Sequence, residues 1–232
     1  MEKQLFDACE NGNFEVVKQI LTNNPQFNPE FCLGKDNYTP FYISCVRGHT
    51  EIMELLLKDE RVNINFSDNV HPPLYCACYN VDIETIKVLL ANKRIDVNKT
   101  GNSATPFWIS CSFGLAEVVK LLLDDERVDI NKADRNGNTP LYISCFFACV
   151  EVVEHILASG KDIRDVNVSI EITRSKVGTQ RVGWENEENY EKKIKKYKII
   201  LEDLESFERN PIETRTKLRM KLRLAGHFFF FF

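Results

Sequence analysis

One block of seven residues returns four times along this chain at an almost fixed interval, and that period limits the fold more than any other feature. Thr39-Pro40-Phe41-Tyr42-Ile43-Ser44-Cys45 is followed by Pro72-Pro73-Leu74-Tyr75-Cys76-Ala77-Cys78, then by Thr105-Pro106-Phe107-Trp108-Ile109-Ser110-Cys111, and last by Thr139-Pro140-Leu141-Tyr142-Ile143-Ser144-Cys145. The closing cysteines lie 33, 33 and 34 residues apart. After a short break each block is followed by a second one: Glu51-Ile52-Met53-Glu54-Leu55-Leu56-Leu57, Glu84-Thr85-Ile86-Lys87-Val88-Leu89-Leu90, Glu117-Val118-Val119-Lys120-Leu121-Leu122-Leu123 and Glu151-Val152-Val153-Glu154-His155-Ile156-Leu157. The apolar positions of the second block have helical spacing.

Each unit therefore reads as a short helix, a tight turn and a longer helix. Threonine before proline suits a helix start, because the hydroxyl accepts from a free amide and proline fits the first turn. Gly48 and Gly114 stand in two of the turns, where a left-handed backbone is needed, whereas Val81 and Ala148 hold the matching positions in the other two and predict less ideal turns. Polar stretches such as Asn131 to Asn138 connect one unit to the next and favour a hairpin-like excursion. A helix pair of this size cannot bury its own apolar face, so neighbouring units must stack.

These residues resemble the ankyrin family, whose repeat of about 33 residues carries T-P-L-H and then a glycine turn. The resemblance implies an all-α solenoid of stacked helix-turn-helix units with hairpin loops, here closed by a helical C-terminal cap. Its bounds are expected to be a domain over residues 1–168, made of a degenerate N-terminal unit at 3–33 and repeats near 34–66, 67–99, 100–133 and 134–168. In the degenerate unit Leu5-Phe6-Asp7-Ala8-Cys9 and Gly12 precede a Phe14 to Leu21 helix, with Lys3-Gln4 where Thr-Pro would stand. A departure from the family is also plain: Tyr42, Tyr75, Trp108 and Tyr142 replace its bridging histidine, which predicts an aromatic ladder with some polar bridging by hydroxyls.

The same resemblance assigns a concave binding face to the ends of the first helices and the hairpin tips. Val46, Arg47, Tyr79, Asn80, Ser112, Phe113, Phe146 and Phe147 fall at the helix ends, while Tyr38, His71, Arg135 and Asn136, together with Asn69 and Asn102, fall at the tips. Aromatics and arginine are favoured at such surfaces because they bury large areas for little lost freedom. Two readings of Phe146 and Phe147 compete, an open patch and a pair covered by the chain after Val168.

Composition narrows the function further. Thirty Lys and Arg against 34 Asp and Glu give a net charge of -4, which supplies no general attraction to nucleic acid. The N-terminus lacks the apolar run of a signal peptide and no stretch reaches the ~20 apolar residues of a membrane span, so an intracellular, cytoplasmic monomer is expected. Eight cysteines at repeat spacing read as buried small hydrophobes rather than a disulfide framework. Those on successive helices are expected about 8–10 Å apart, beyond the roughly 7 Å that a disulfide spans.

Little supports catalysis. His49, His71, His155 and His227 occupy unlike positions, no Ser/His/Asp or Cys/His set can be assembled, and neither a phosphate-binding loop nor a dinucleotide fingerprint is present. Cys76-Ala77-Cys78 lacks zinc-knuckle spacing, so no metal and no cofactor are expected.

Past residue 162 the period fails. Val166, Val168, Ile170 and Ile172 alternate with other residues, which predicts an irregular or extended insertion over 169–184. From Glu185, Tyr190, Ile194, Tyr197, Leu201, Leu204 and Phe207 form a helical stripe, and Asn210-Pro211-Ile212-Glu213 has the signature of a further helix start, so 185–226 reads as a charged cap ending in a basic helix. Residues 227–232, with five successive phenylalanines, are expected to be a disordered or artefactual tail. The function that follows is a non-catalytic scaffold or adaptor binding another protein through its concave face. The alternative is a peripheral membrane or nucleic-acid adaptor using Arg215, Lys217, Arg219, Lys221 and Arg223 within segment 215–223.

Overall fold

A computed structural model of the chain describes residues 1–32, 38–66, 71–101, 103–179 and 186–222. It divides into two compact units, 1–106 and 107–232. The first holds α1 (Glu2–Glu10), α2 (Phe14–Asn23), α3 (Pro40–Val46), α4 (Thr50–Leu57), α5 (Pro73–Tyr79) and α6 (Ile83–Ala91). Within it the short helices α1, α3 and α5 pack in one row, and the second helices α2, α4 and α6 in another. Phe41, Leu74, Ile52, Met53, Leu56, Ile86 and Leu89 are buried between the rows.

The Thr-Pro starts behave as their chemistry demands. Thr39 Oγ1 accepts from the Tyr42 amide at 3.1 Å and Pro40 begins the helix, an arrangement repeated at Thr139, Tyr142 and Pro140. Serine in the block turns its hydroxyl back on its own helix: Ser44 donates to the Phe41 carbonyl at 2.7 Å and Ser144 to that of Leu141 at 2.8 Å. Such a self-satisfied hydroxyl can be buried without penalty. Cys45, Cys78, Cys111 and Cys145 are free thiols and buried.

Five turns between paired helices use a positive φ, at Gly12, Gly48 and Gly114 but also at Val81 and Ala148, both at 57°. A β-branched residue in that region is strained, so the second repeat forms its turn against the preference of its own side chain. At Gly12 the bare backbone has a further use, since a Cβ there would come within 2.9 Å of the His49 ring. His49 Nε2 in turn lies 3.0 Å from the Glu10 carbonyl and joins the turns of the first two units.

The loops after the second helices carry a signal absent from the sequence reading. Arg61 reaches the Pro25 and Phe27 carbonyls at 2.6 and 2.8 Å, and Arg94 reaches those of Leu57, Asp59 and Val62 at 3.2, 3.3 and 2.5 Å. In the second unit Lys161 does the same to Asp125 and Val128. Each cation collects the orphan carbonyls at the loop of the preceding repeat. Asn65 and Asn131 add a parallel rung, Asn65 bonding the Arg94 carbonyl and Asp96 amide, Asn131 the Asp162 carbonyl and Arg164 amide.

The second unit contains α7 (Pro106–Ser112), whose first residue closes the preceding unit, α8 (Ala116–Leu123), α9 (Pro140–Phe146), α10 (Val150–Ala158), α11 (Val166–Val177), α12 (Glu187–Arg209) and α13 (Pro211–Lys221). One expectation fails here: 166–177 is a helix, not an extended insertion. The alternating β-branched residues mimic a strand. The buried residues Ser169, Ile170 and Thr173 nevertheless share a helical face, which packs against α9 and α12, and this tertiary burial outweighs strand propensity. Helix α12 buries Tyr197, Ile200, Leu204 and Phe207 and packs on α10 and α11. Asn210 then caps α13 reciprocally, accepting from the Glu213 amide at 3.2 Å while its own amide nitrogen donates to the Glu213 carboxylate at 3.1 Å.

Candidate partner-binding surface

In the first unit the aromatic ladder becomes a cleft of about 340 Å³ between the ends of α3 and α5, lined by Tyr42, Val46, His71, Tyr75, Cys76, Tyr79 and Asn80. Val46, His71, Tyr79 and Asn80 were expected at such a surface from the repeat register. Tyr42, Tyr75 and Cys76 were not, although their place in the recurring block was visible. Tyr42 Oη and Cys76 Sγ lie 3.1 Å apart and join two repeats, and the Cys76 thiol also points at the His71 carbonyl at 3.6 Å. Tyr38 stands beside Tyr42 with ring centroids 4.7 Å apart. The His71 ring stacks on Tyr75 at 4.1 Å, and a Cβ at Gly101 would collide with that ring, so glycine makes room for it.

Electrostatically the cleft is quiet. Burial raises the Cys76 thiol above its ordinary range against the opposing effect of Tyr42, burial together with the Cys76 bond raises Tyr42, and burial lowers His71. At neutral pH the groups are a thiol, a phenol and an uncharged imidazole. Tyr79 leaves the cleft 55% exposed. Arg47, exposed at the end of α3, is tied to Glu10 at 2.7 Å.

The second unit presents a different surface. Ser112 is half-buried and bonds the Ile109 carbonyl at 2.9 Å, while its neighbour Phe113 is 58% exposed. Trp108 Nε1 donates to the Asn138 carbonyl at 2.8 Å, fixing the hairpin whose turn runs through Asp134, Arg135 and Asn136. Arg135 and Asn136 are exposed there. The competing readings of Phe146 and Phe147 divide between them: Phe146 is half-buried under Lys176, whose Nζ sits 3.9 Å from the ring centroid, whereas Phe147 remains 55% exposed. Asn69 and Asn102 lie outside the described residues.

The described cations of the basic segment are each engaged within the chain. Arg219 Nε donates to the Ala158 carbonyl at 2.9 Å, at the C-terminal end of α10, and Arg215 donates to that of Lys161 at 3.2 Å in the loop that follows. Lys221 pairs with the buried Glu154 at 2.5 Å and Lys217 with Glu213 at 2.9 Å. Arg223 lies outside the described residues. Gly160, with φ 84°, keeps the path open, since a Cβ there would meet the Arg219 guanidinium at 2.9 Å.

Among the described residues no group of three or more His, Cys, Asp and Glu side chains is placed to hold a metal ion, and no helix is long and apolar enough to cross a membrane. A family profile described as ankyrin repeats (3 copies) matches residues 5–101 and 82–167. No curated protein matches the chain.

Proposed function

The chain belongs to the ankyrin repeat family, whose repeats are generally protein–protein interaction modules, and from that membership we propose that it is a non-catalytic scaffold or adaptor gripping a partner protein through the ends of its first helices. One observation carries this reading: Tyr79, Phe113 and Phe147, large aromatics in three consecutive repeats, are all more than half exposed, each beside the positive-φ turn of its own repeat. A monomeric soluble protein gains nothing from leaving such area in water, and aromatic anchors dominate binding energy where a partner removes it. The polar contents of the Tyr42–Tyr79 cleft suit recognition of a side chain without chemistry on it. Arg215, Lys217, Arg219 and Lys221 are already engaged with the Lys161 carbonyl, Glu213, the Ala158 carbonyl and Glu154, which argues against their serving as the contact for a membrane or nucleic acid. Quantitative affinity capture with the parent chain and with Tyr79→Ala/Phe113→Ala tests the proposal. Partners retained equally by both would remove the aromatic helix ends from the function.

A further inference from the structure

Phe147 is held rather than loose. Its ring meets Phe146 edge to face at 5.2 Å with an interplanar angle of 86°, and Phe146 is itself fixed by the Lys176 ammonium above its ring and by Tyr197, whose hydroxyl donates to the Phe146 carbonyl at 2.7 Å. An aromatic with little freedom left to lose is suited to act as an anchor.

Two ammonium groups come from the helices packed beside it. Lys176 comes from α11, and exposed Lys196 comes from α12, next in sequence to Tyr197, whose hydroxyl reaches the Phe146 carbonyl. Neighbouring cations are neutralised, Arg174 by Glu205 and Lys192 by Glu188. Lys176 and Lys196 have no such carboxylate partner among the described residues. In helix α12 Lys192, Lys193, Lys195, Lys196 and Lys198 lie along the stretch that carries Tyr197, between Glu187, Glu188 and Glu191 before it and Glu202, Asp203, Glu205 and Glu208 beyond it.

We propose that the edge formed by Phe147, Phe146, Lys176 and Lys196 docks an acidic segment of a partner protein, which sets a large apolar side chain against Phe147 and its carboxylates against the two lysines. This deepens the protein-binding reading and rests on it. A neutral or basic segment would desolvate the ammonium groups without replacing their partners. A long polyphosphate chain would run past the lysines into the acidic residues on either side of them, whereas a few carboxylates fit within the basic stretch.

The full-length chain selects from a random peptide display library, and a labelled synthetic peptide of the enriched pattern is then titrated. The expected pattern places one or two large apolar residues beside Asp or Glu. Phe147→Ala and Lys176→Glu/Lys196→Glu should each weaken that peptide about tenfold or more, with added salt weakening it further. Lys196→Glu alone, at an exposed position, gives the charge test without disturbing the contact on Phe146. Selection of basic or neutral peptides, failure to select any, or binding indifferent to these variants would overturn the proposal. So would capture of polyuridylate or anionic vesicles that the lysine variants abolish and Phe147→Ala leaves intact. If partner binding falls with Tyr79→Ala/Phe113→Ala but not with the Phe147 and lysine variants, the general reading stands and this assignment falls.

Discussion

The Tyr197 hydroxyl donates to the Phe146 carbonyl at 2.7 Å, tying the middle of α12 to the last residue of α9 across 51 positions of sequence. Because that carbonyl is among those a helix leaves unsatisfied at its end, the bond closes a repeat and attaches the cap in one contact. Tyr197→Phe keeps the ring, which is 3% exposed, and removes only the hydroxyl. A loss of about 1 kcal/mol in urea unfolding is expected, together with faster hydrogen exchange in α12 than in α8. Unchanged stability would mean that water replaces the phenol there.

Val81 offers the opposite change. Its φ of 57° at 46% exposure carries the strain of a β-branched left-handed residue with little burial to lose. Val81→Gly should stabilise the first unit by about 0.5–1 kcal/mol, strain relief exceeding the added freedom of the unfolded chain. Ala148→Gly should gain less, because Ala148 is 6% exposed and its methyl is packed. Thermal melting of both variants decides the order.

Arg94 holds three carbonyls of the preceding loop, and Arg94→Ala should cost about 2 kcal/mol by leaving them without a charged donor. Arg94→Lys should recover part of this. Lys161, at the matching place in the second unit, reaches two carbonyls with its single ammonium. Equal losses in the two variants would show that the guanidinium fork, not the charge, sets the contact.

Asp203 sits beside the Glu154–Lys221 pair, and one of its oxygens is buried without a hydrogen-bond partner. Burial above all, relieved by Lys221 and aggravated by Glu154 and Glu202, raises its carboxyl from 3.8 to about 6. The folded state therefore binds this proton more tightly than the unfolded state, so its favourable contribution is complete below pH 3.8 and is lost as pH rises through about 6. Asp203→Asn should raise stability at pH 7 by about 1 kcal/mol, after allowance for partial solvent exposure. At pH 4 the two proteins should melt alike. A constant difference across this range would assign the effect to packing.

The helix pairs, their Thr-Pro starts and the buried cysteines were legible because each repeats at the period, so one weak local signal is seen several times. The turns at Val81 and Ala148 were legible through their neighbours' glycines. Helix α11 was misread because it occurs once, and its β-branched residues alternate by chance with polar ones. Only its packing on α9 and α12 fixes the helical face. The carbonyl-gathering Arg61, Arg94 and Lys161 also repeat with the period, yet a cation in a polar loop looks solvated until its acceptors are known. At the candidate surface the exposed positions followed from register, whereas the Tyr42–Cys76 bridge and the roof of Lys176 over Phe146 depend on side-chain reach between elements, which spacing does not encode.

Tyr79 and Phe113 are 55% and 58% exposed, so truncation to alanine removes contact area from water-facing positions and should leave the melting transition within about 0.5 kcal/mol of the parent. An aromatic hot spot commonly contributes about 2 kcal/mol or more, near thirtyfold in affinity. Neutralising Arg215, Lys217, Arg219 and Lys221 should do the reverse. Arg215 and Arg219 hold the carbonyls of Lys161 and Ala158, and loss of Lys221 strands Glu154, which is 4% exposed, so stability should fall by several kcal/mol. Titration of a purified captured partner, at a temperature where both variants are folded, supplies the comparison. Retained affinity in the aromatic variant with lost affinity in the neutralised one would move the binding site from the repeat turns to α13.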